Sequence, residues 1–156
     1  ILSKKVSARE AELIAIEAAK EAQAGVVESG GIGDESAEAL IVSPNAIYTV
    51  TVAHFEFNKW NLTANAKKVI AQEAAKLKGL HYVKVIIIGH TDDIGSERAN
   101  AMVSLRRADA VFREFVKNGI DPDKIEYWGV GAQYPVAPNS SPNNRARNRR
   151  TTMSVE

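Results

Sequence analysis

The stretch Gly89-His-Thr-Asp-Asp-Ile-Gly95 constrains this chain more than any other. Before it runs Val83-Lys-Val-Ile-Ile-Ile88, a short apolar run of strand length. After it runs Ser96 to Asn118, a long helical pattern that ends at Gly119. The stretch is therefore a strand-to-helix junction, and it holds two carboxylates, Asp92 and Asp93. Ligands collect beyond the carboxyl ends of strands, where helix N-termini offer free N–H groups. The junction is the candidate site, and the rest of the chain is read as its support.

Upstream, Ser7 to Ala24 predicts a helix. Ser7 and Glu10 form a capping box, and Ala, Glu and Lys dominate the segment. Its apolar stripe is narrow (Leu13, Ile14, Ile16, Ala18), which suits a packing element or stalk, or a helix that binds a partner. Gly25 stops it, and Glu28 to Ser36 is a glycine-rich connector. Ala37 to Val42 is a short element, and Ser43-Pro-Asn45 is a turn signal. Residues 1–45 are thus expected to be a helix and linker, and residues 46–156 the domain.

Within the domain, Tyr48, Val50 and Val52 alternate with threonines, which is strand period, and the run extends from Ile47 to Phe57. Asn61 or Thr63 caps a helix through Lys78, with Ala66, Val69, Ile70, Ala74 and Leu77 on its core stripe. Lys124 to Trp128 reads as a third strand. Gly129 to Arg150 reads as a long irregular loop, and loops of that length are commonly functional. Thr151 to Val155 reads as the last strand, with Met153 and Val155 inward. The order β-α-β-α-β-loop-β predicts an α/β (α+β) two-layer sandwich with its helices on one sheet face.

On a helical wheel Ala101, Leu105, Ala108, Phe112, Phe115 and Val116 form the core face of the central helix. Asn100 and Arg107 share a flank, and Arg106 points to the opposite one. A helix starting at Ser96 would carry Arg107 about 16 Å up its axis. For Asp92 and Arg107 to share a small ligand, Ile94 to Ala99 is therefore expected to be partly looped, with regular helix from near Asn100. Each residue taken alone has a plainer reading. An Asp before a helix is usually an N-cap. A flank arginine is usually a solvated or ion-paired surface residue. His90 is more simply a structural residue than a ligand.

Composition narrows the chemistry. With no cysteine, thiol catalysis, disulfides and thiolate metal sites are excluded. A net charge of +1 supplies no global field toward nucleic acid or anionic lipid. Arg145, Arg147, Arg149 and Arg150 cluster, but without aromatic interleaving, so nucleic acid is not expected. Arg149 or Arg150 is expected to brace the long loop against nearby carboxylates, with the rest facing solvent. His54 and His81 are scattered, and no spacing fits a zinc site or a nucleophilic Ser-His pair, so neither metal, cofactor nor catalysis is expected.

Taken together the residues are more specific. Gly89-His-Thr-Asp92-x-x-Gly95, then Asn100-x-x-Val-Ser104-x-x-Arg107-Ala108, resembles the signature of the OmpA-like peptidoglycan-binding domain. Gly129-x-Gly131-x-x-x-Pro135-x-x-x-Asn139 and Arg145-Ala-x-Asn148-Arg149-Arg150 fit it, as does Phe55-x-Phe57-Asn58-Lys59 upstream. The resemblance covers about residues 48–156. It implies a non-catalytic periplasmic module that binds meso-diaminopimelate in the peptide stem of the cell wall. By resemblance Asp92 holds the ammonium of that residue's side arm and Arg107 its carboxylate, in two parallel hydrogen bonds. Thr91 and Asn100 complete the pocket, Asn58 and Asn139 are further candidates for stem contacts, and Gly95 and Arg149 hold the loop. Asn58 and Arg106 differ from the usual family residues, and Arg106 adds positive charge near the site.

The resemblance leaves the carrier open among outer-membrane porins, Pal-type lipoproteins and MotB-type stator subunits. The helix and short linker upstream favour the stator-like arrangement, with a homodimer or an inner-membrane channel partner. The expected location is the periplasm of a Gram-negative bacterium. The chain starts at Ile1, without Met, and a membrane tether is expected upstream of it.

Overall fold

Alternating β-branched and aromatic residues make β2 (Tyr48–His54), and the central apolar run makes β3 (Val85–Gly89). They belong to one five-stranded sheet with β1 (Leu2–Ser3), β4 (Ile125–Gly129) and β5 (Arg150–Val155), in the order β1-β4-β3-β5-β2. β3 and β4 are parallel, and the other neighbours are antiparallel. This computed structural model describes residues 45–156 and the backbone of Leu2–Ser3. The readings of a helix over Ser7–Ala24, a connector over Glu28–Ser36 and an element over Ala37–Val42 lie outside the described residues.

Two helices pack on one sheet face. α1 (Ala64–Lys78) is capped by Thr63, whose hydroxyl accepts from the Ala66 N–H at 3.0 Å. It buries Ala66, Ile70, Ala74 and Leu77, as its periodicity predicts. α2 (Glu97–Lys117) adds Ala108, Val111 and Phe115 to the same core, against Val85, Ile87, Met153 and Val155 of the sheet. Residues of opposite parity on the strands, Ile86, Ile88 and Trp128, form a second small cluster with Val130 on the other face. The architecture is the expected α/β sandwich.

Two expectations are corrected. Regular helix starts at Glu97, three residues earlier than expected, with Ser96 as the cap and its hydroxyl accepting from the Ala99 N–H, so of Ile94–Ala99 only Ile94–Ser96 is looped. Residues 129–150 are also not loop throughout. α3 (Pro142–Asn148) lies within them, capped by Ser141 with Pro142 in its first turn. The signal was in the sequence: Ser before Pro is a helix start as much as a turn.

Glycine sets how closely α2 approaches the strand ends. A Cβ on Gly89 would lie 1.9 Å from the Ser104 carbonyl oxygen, and one on Gly129 would lie 2.3 Å from the Leu105 nitrogen. Both parallel strands thus end in a residue that lets the helix backbone lie directly on them. In consequence Asn100, Ser104 and Arg107 are buried and face inward, not along a flank, while Val116 is exposed.

Candidate functional site

The strand-to-helix loop leaves β3 at His90, and α2 runs back antiparallel above the strand. Arg107, far along the helix, therefore returns to the strand end, and its Nη1 donates to the His90 carbonyl at 2.8 Å. The doubling back needed for Asp92 and Arg107 to meet is made by the helix direction, with no unwinding. Both residues line one pocket of about 170 Å³, together with Thr91, Asn58, Gly95, Asn100 and Arg149. Phe57, Ile94, Ala99 and Val103 form its apolar walls.

Asp92 is buried and firmly held. Its Oδ1 accepts from the Ile94 N–H at 3.0 Å, and its Oδ2 accepts from Arg149 Nη1 at 3.1 Å. Its backbone carbonyl accepts from Thr91 Oγ1 and, at 3.4 Å, from Asn100 Nδ2. Asp92 thus shapes the loop and does not cap the helix, which Ser96 does. A carboxylate offers about four lone-pair positions, so two remain for a ligand donor.

Arg107 is fully buried, with its guanidinium 5.1 Å from the centre of the Phe55 ring. Its Nε donates to the Lys59 carbonyl at 2.7 Å, and its Nη2 to the Glu56 carbonyl at 3.0 Å. With the bond to His90, three of about five guanidinium N–H groups are engaged, which leaves one on each Nη. Arg107 is therefore a brace for the loop after β2 as well as a wall of the pocket. Burial, and then the charge of Arg149, push its pKa down to about 10, while Asp92 pulls it up. It remains a cation at neutral pH, and the Asp92 carboxyl group faces two guanidinium groups, those of Arg107 and Arg149.

His90 is buried between arginines, and neither ring nitrogen has a hydrogen-bond partner among the described residues. Burial, with Arg150 and Arg107 adding to it, holds its pKa well below the ordinary value. It is neutral at pH 7 and adds no charge to the site.

Of the residues singled out from the sequence, Asp92, Arg107, Thr91, Asn100, Asn58, Gly95 and Arg149 meet at this pocket. Asn58 and Gly95 both take positive φ, 56° and 101°, which turns the two loops toward each other. Asn139 does not meet them. Its Oδ1 accepts from Asn148 Nδ2 at 2.8 Å, and its carbonyl accepts from Arg145 Nη2 at 2.8 Å, so it is a brace of its own loop. The arginines also divide differently from expectation. Arg145 pairs with Asp93 at 3.0 Å, Arg149 with Asp92, and Arg150 is buried with Nη2 on the Tyr134 carbonyl. Three of the four brace the loop, and Arg149 also enters the pocket, a role that α3 confers by placing it at the helix's C-terminal end. Arg106 is not on a remote flank: its guanidinium lies 4.7 Å from the centre of the Trp60 ring, next to the loop that Arg107 holds. No group of three or more His, Asp or Glu arranged to hold a metal ion occurs among the described residues.

The fold and site define an α/β domain with a small charged pocket where two parallel strands end. The OmpA family model matches residues 54–149, and the chain belongs to that family. Outer membrane protein A of Bordetella avium is 36% identical over 101 residues, which is 65% of this chain and 52% of that protein. The chain thus spans about half the length of that relative. The peptidoglycan-associated lipoprotein of Pseudomonas aeruginosa is 31% identical over 134 residues, 85% of this chain and 79% of the lipoprotein. Among solved structures, the peptidoglycan-associated lipoprotein from Burkholderia pseudomallei superposes with a TM-score of 0.64 at 26% identity, covering 67% of this chain and 88% of that one. Family membership makes this a binding domain and not an enzyme.

Proposed function

We propose that this domain binds the peptide stem of peptidoglycan non-covalently, through the zwitterionic side arm of meso-diaminopimelate, and so fastens a periplasmic or envelope protein to the wall. The observation that carries this reading is the convergence of Asp92, Arg107 and Arg149 in one pocket of about 170 Å³. An ammonium and a carboxylate on one carbon need an acid and a base within a few ångströms, and a cavity of that size admits a side arm and little more. Asp92 receives the ammonium on the lone pairs that Arg149 and Ile94 leave. The remaining Nη protons of Arg107, with Arg149 beside them, receive the carboxylate. Each charge-assisted bond is worth roughly 1.5–3 kcal/mol. One site of this kind holds weakly, and firm anchoring comes from many copies along the wall.

For the carrier, the aligned length favours a lipoprotein-like arrangement over the stator-like one. The 134 residues matched to the Pseudomonas aeruginosa lipoprotein exceed what residues 46–156 can supply, so the likeness continues upstream of the domain. Thr91 and Asn100 are assigned to holding the Asp92 backbone, and Asn58 to the pocket mouth.

Co-sedimentation with purified diaminopimelate-type sacculi tests the reading. Wild type pellets, and Asp92→Asn stays in solution while keeping its fold. Lysine-type sacculi, whose side arm lacks the carboxylate, carry far less of the protein into the pellet. A folded wild type that stays in solution with diaminopimelate-type sacculi contradicts the proposal.

A further inference from the structure

The pocket takes a side arm, yet the wall fragment that carries that arm is much larger. At about 170 Å³ the pocket falls below the range of about 300–1,000 Å³ that encloses a drug-sized ligand. The rest of the ligand must lie across the surface beside it. On one side a second cleft is lined by Glu97, Arg98 and Asp93, the last paired with Arg145. On the other side the loop after β2 presents Phe57, 53% exposed, and Trp60, 38% exposed. Trp60 belongs to neither core cluster, and its observed ring contact is the Arg106 guanidinium, 4.7 Å from its centre. An exposed tryptophan stacked on an arginine whose N–H groups have no hydrogen-bond acceptor among the described residues has no evident task in folding.

Resting on the wall-binding reading, we propose that Trp60, stacked on Arg106 and flanked by Phe57, is a saccharide subsite for an N-acetylated pyranose of the glycan to which the bound stem is attached. A pyranose has an apolar C–H face that covers an aromatic ring, and polar substituents at its edge. Trp60 supplies the ring, as amphipathic aromatics do at wet interfaces. Arg106 supplies donors for hydroxyl or acetamido oxygens, and it holds the indole flat. The direction follows from charge. The half of the stem that leads to the sugar bears an isoglutamate carboxylate, which Arg106 attracts, whereas in the other cleft Asp93 is already paired with Arg145 and Arg98 stands beside Glu97, so no cation there is set apart for it. The reach also fits. About three links, or about 10 Å of extended chain, separate the diaminopimelate from the sugar. Trp60 adjoins Lys59, whose carbonyl is 2.7 Å from Arg107 Nε.

The test compares two ligands by calorimetry: the free tripeptide L-alanyl-γ-D-glutamyl-meso-diaminopimelate, and the same tripeptide on its disaccharide. Wild type is expected to bind the disaccharide form about tenfold more tightly, the ratio produced by about 1.4 kcal/mol. Trp60→Ala should erase that ratio and leave tripeptide affinity unchanged, while Trp60→Phe keeps most of it. Fluorescence gives a second readout, because the chain's other tryptophan, Trp128, is 1% exposed. Wild-type emission should shift with the disaccharide form and not with the tripeptide, and the shift should be absent in Trp60→Phe. Equal affinity of wild type for the two ligands overturns the subsite while leaving wall binding intact. An equal loss for both ligands in Trp60→Ala also overturns it, since Trp60 would then only prop the loop. Binding of neither ligand overturns both readings.

Discussion

Replacing Arg107 with Met separates bracing from ligand binding. Methionine keeps most of the stem length and loses every donor. The variant removes three hydrogen bonds, to the carbonyls of Lys59, His90 and Glu56. Lys59 and Glu56 lie in an exposed loop, so water can replace the lost donor there at small cost. His90 is fully buried, and its carbonyl is left unpaired at a cost of about 1–3 kcal/mol. Loosening of the loop after β2 adds to this, and relief of the buried charge subtracts. The balance is a loss of about 3 kcal/mol, near the lower end of what breaking a buried charged contact costs. Urea denaturation at pH 7 reads it as a fall in midpoint of about 1.5 M for a slope of about 2 kcal/mol per M, with the slope unchanged. A variant within about 0.5 kcal/mol of wild type would refute the reasoning, because Arg107 would then be a ligand contact that holds nothing in place.

Further outcomes follow from the same geometry. Asn139→Ala should cost about 1 kcal/mol in thermal or urea unfolding, through its lost bond to Asn148, and leave pelleting with sacculi unchanged; reduced pelleting of the folded variant would return Asn139 to the site. Because the folded pKa of His90 is depressed, the unfolded chain binds the extra proton, so stability present above about pH 6.5 is lost as pH falls toward the folded value. Its share of the slope approaches about 1.4 kcal/mol per pH unit, and His90→Gln should flatten the stability profile between about pH 5 and 6.5; an unchanged profile would contradict the buried neutral ring. Gly89→Ala should destabilise by about 3 kcal/mol or more, since its methyl group meets the Ser104 backbone, and unfolding curves superimposable on wild type would show that α2 does not lie on the strand end.

Much of this was legible in the sequence. β2, α1, β3, α2, β4 and β5 were read in order from period and caps, because each carries its own signal. The pocket was legible through the family resemblance of the motif that holds Asp92, Asn100 and Arg107, not through their spacing, and the structure adds Arg149 to it. What the sequence hid was geometry between elements. A helical wheel places Arg107 on a flank, but Gly89 and Gly129 let α2 settle so close that this flank becomes the inner face. A rise along the axis predicts separation from Asp92, and only the antiparallel return of the helix over its strand cancels it. Asn139 resembles a site residue by position, yet its hydrogen bonds tie its loop to Arg145 and Asn148 of α3. Arg106 is beside Arg107 in sequence, and its stacking on Trp60 depends on a loop contact that no periodicity encodes.

The most direct measurement is the affinity of the domain for two stem tripeptides that differ at one carboxylate, one ending in meso-diaminopimelate and one in L-lysine. The account predicts that losing the side-arm carboxylate weakens binding about 10- to 100-fold, the worth of one charge-assisted contact to Arg107 and Arg149. Asp92→Asn should weaken binding of both tripeptides, since both carry the ammonium. Equal affinity of the wild-type domain for the two tripeptides would contradict the claim that this pocket reads a zwitterion.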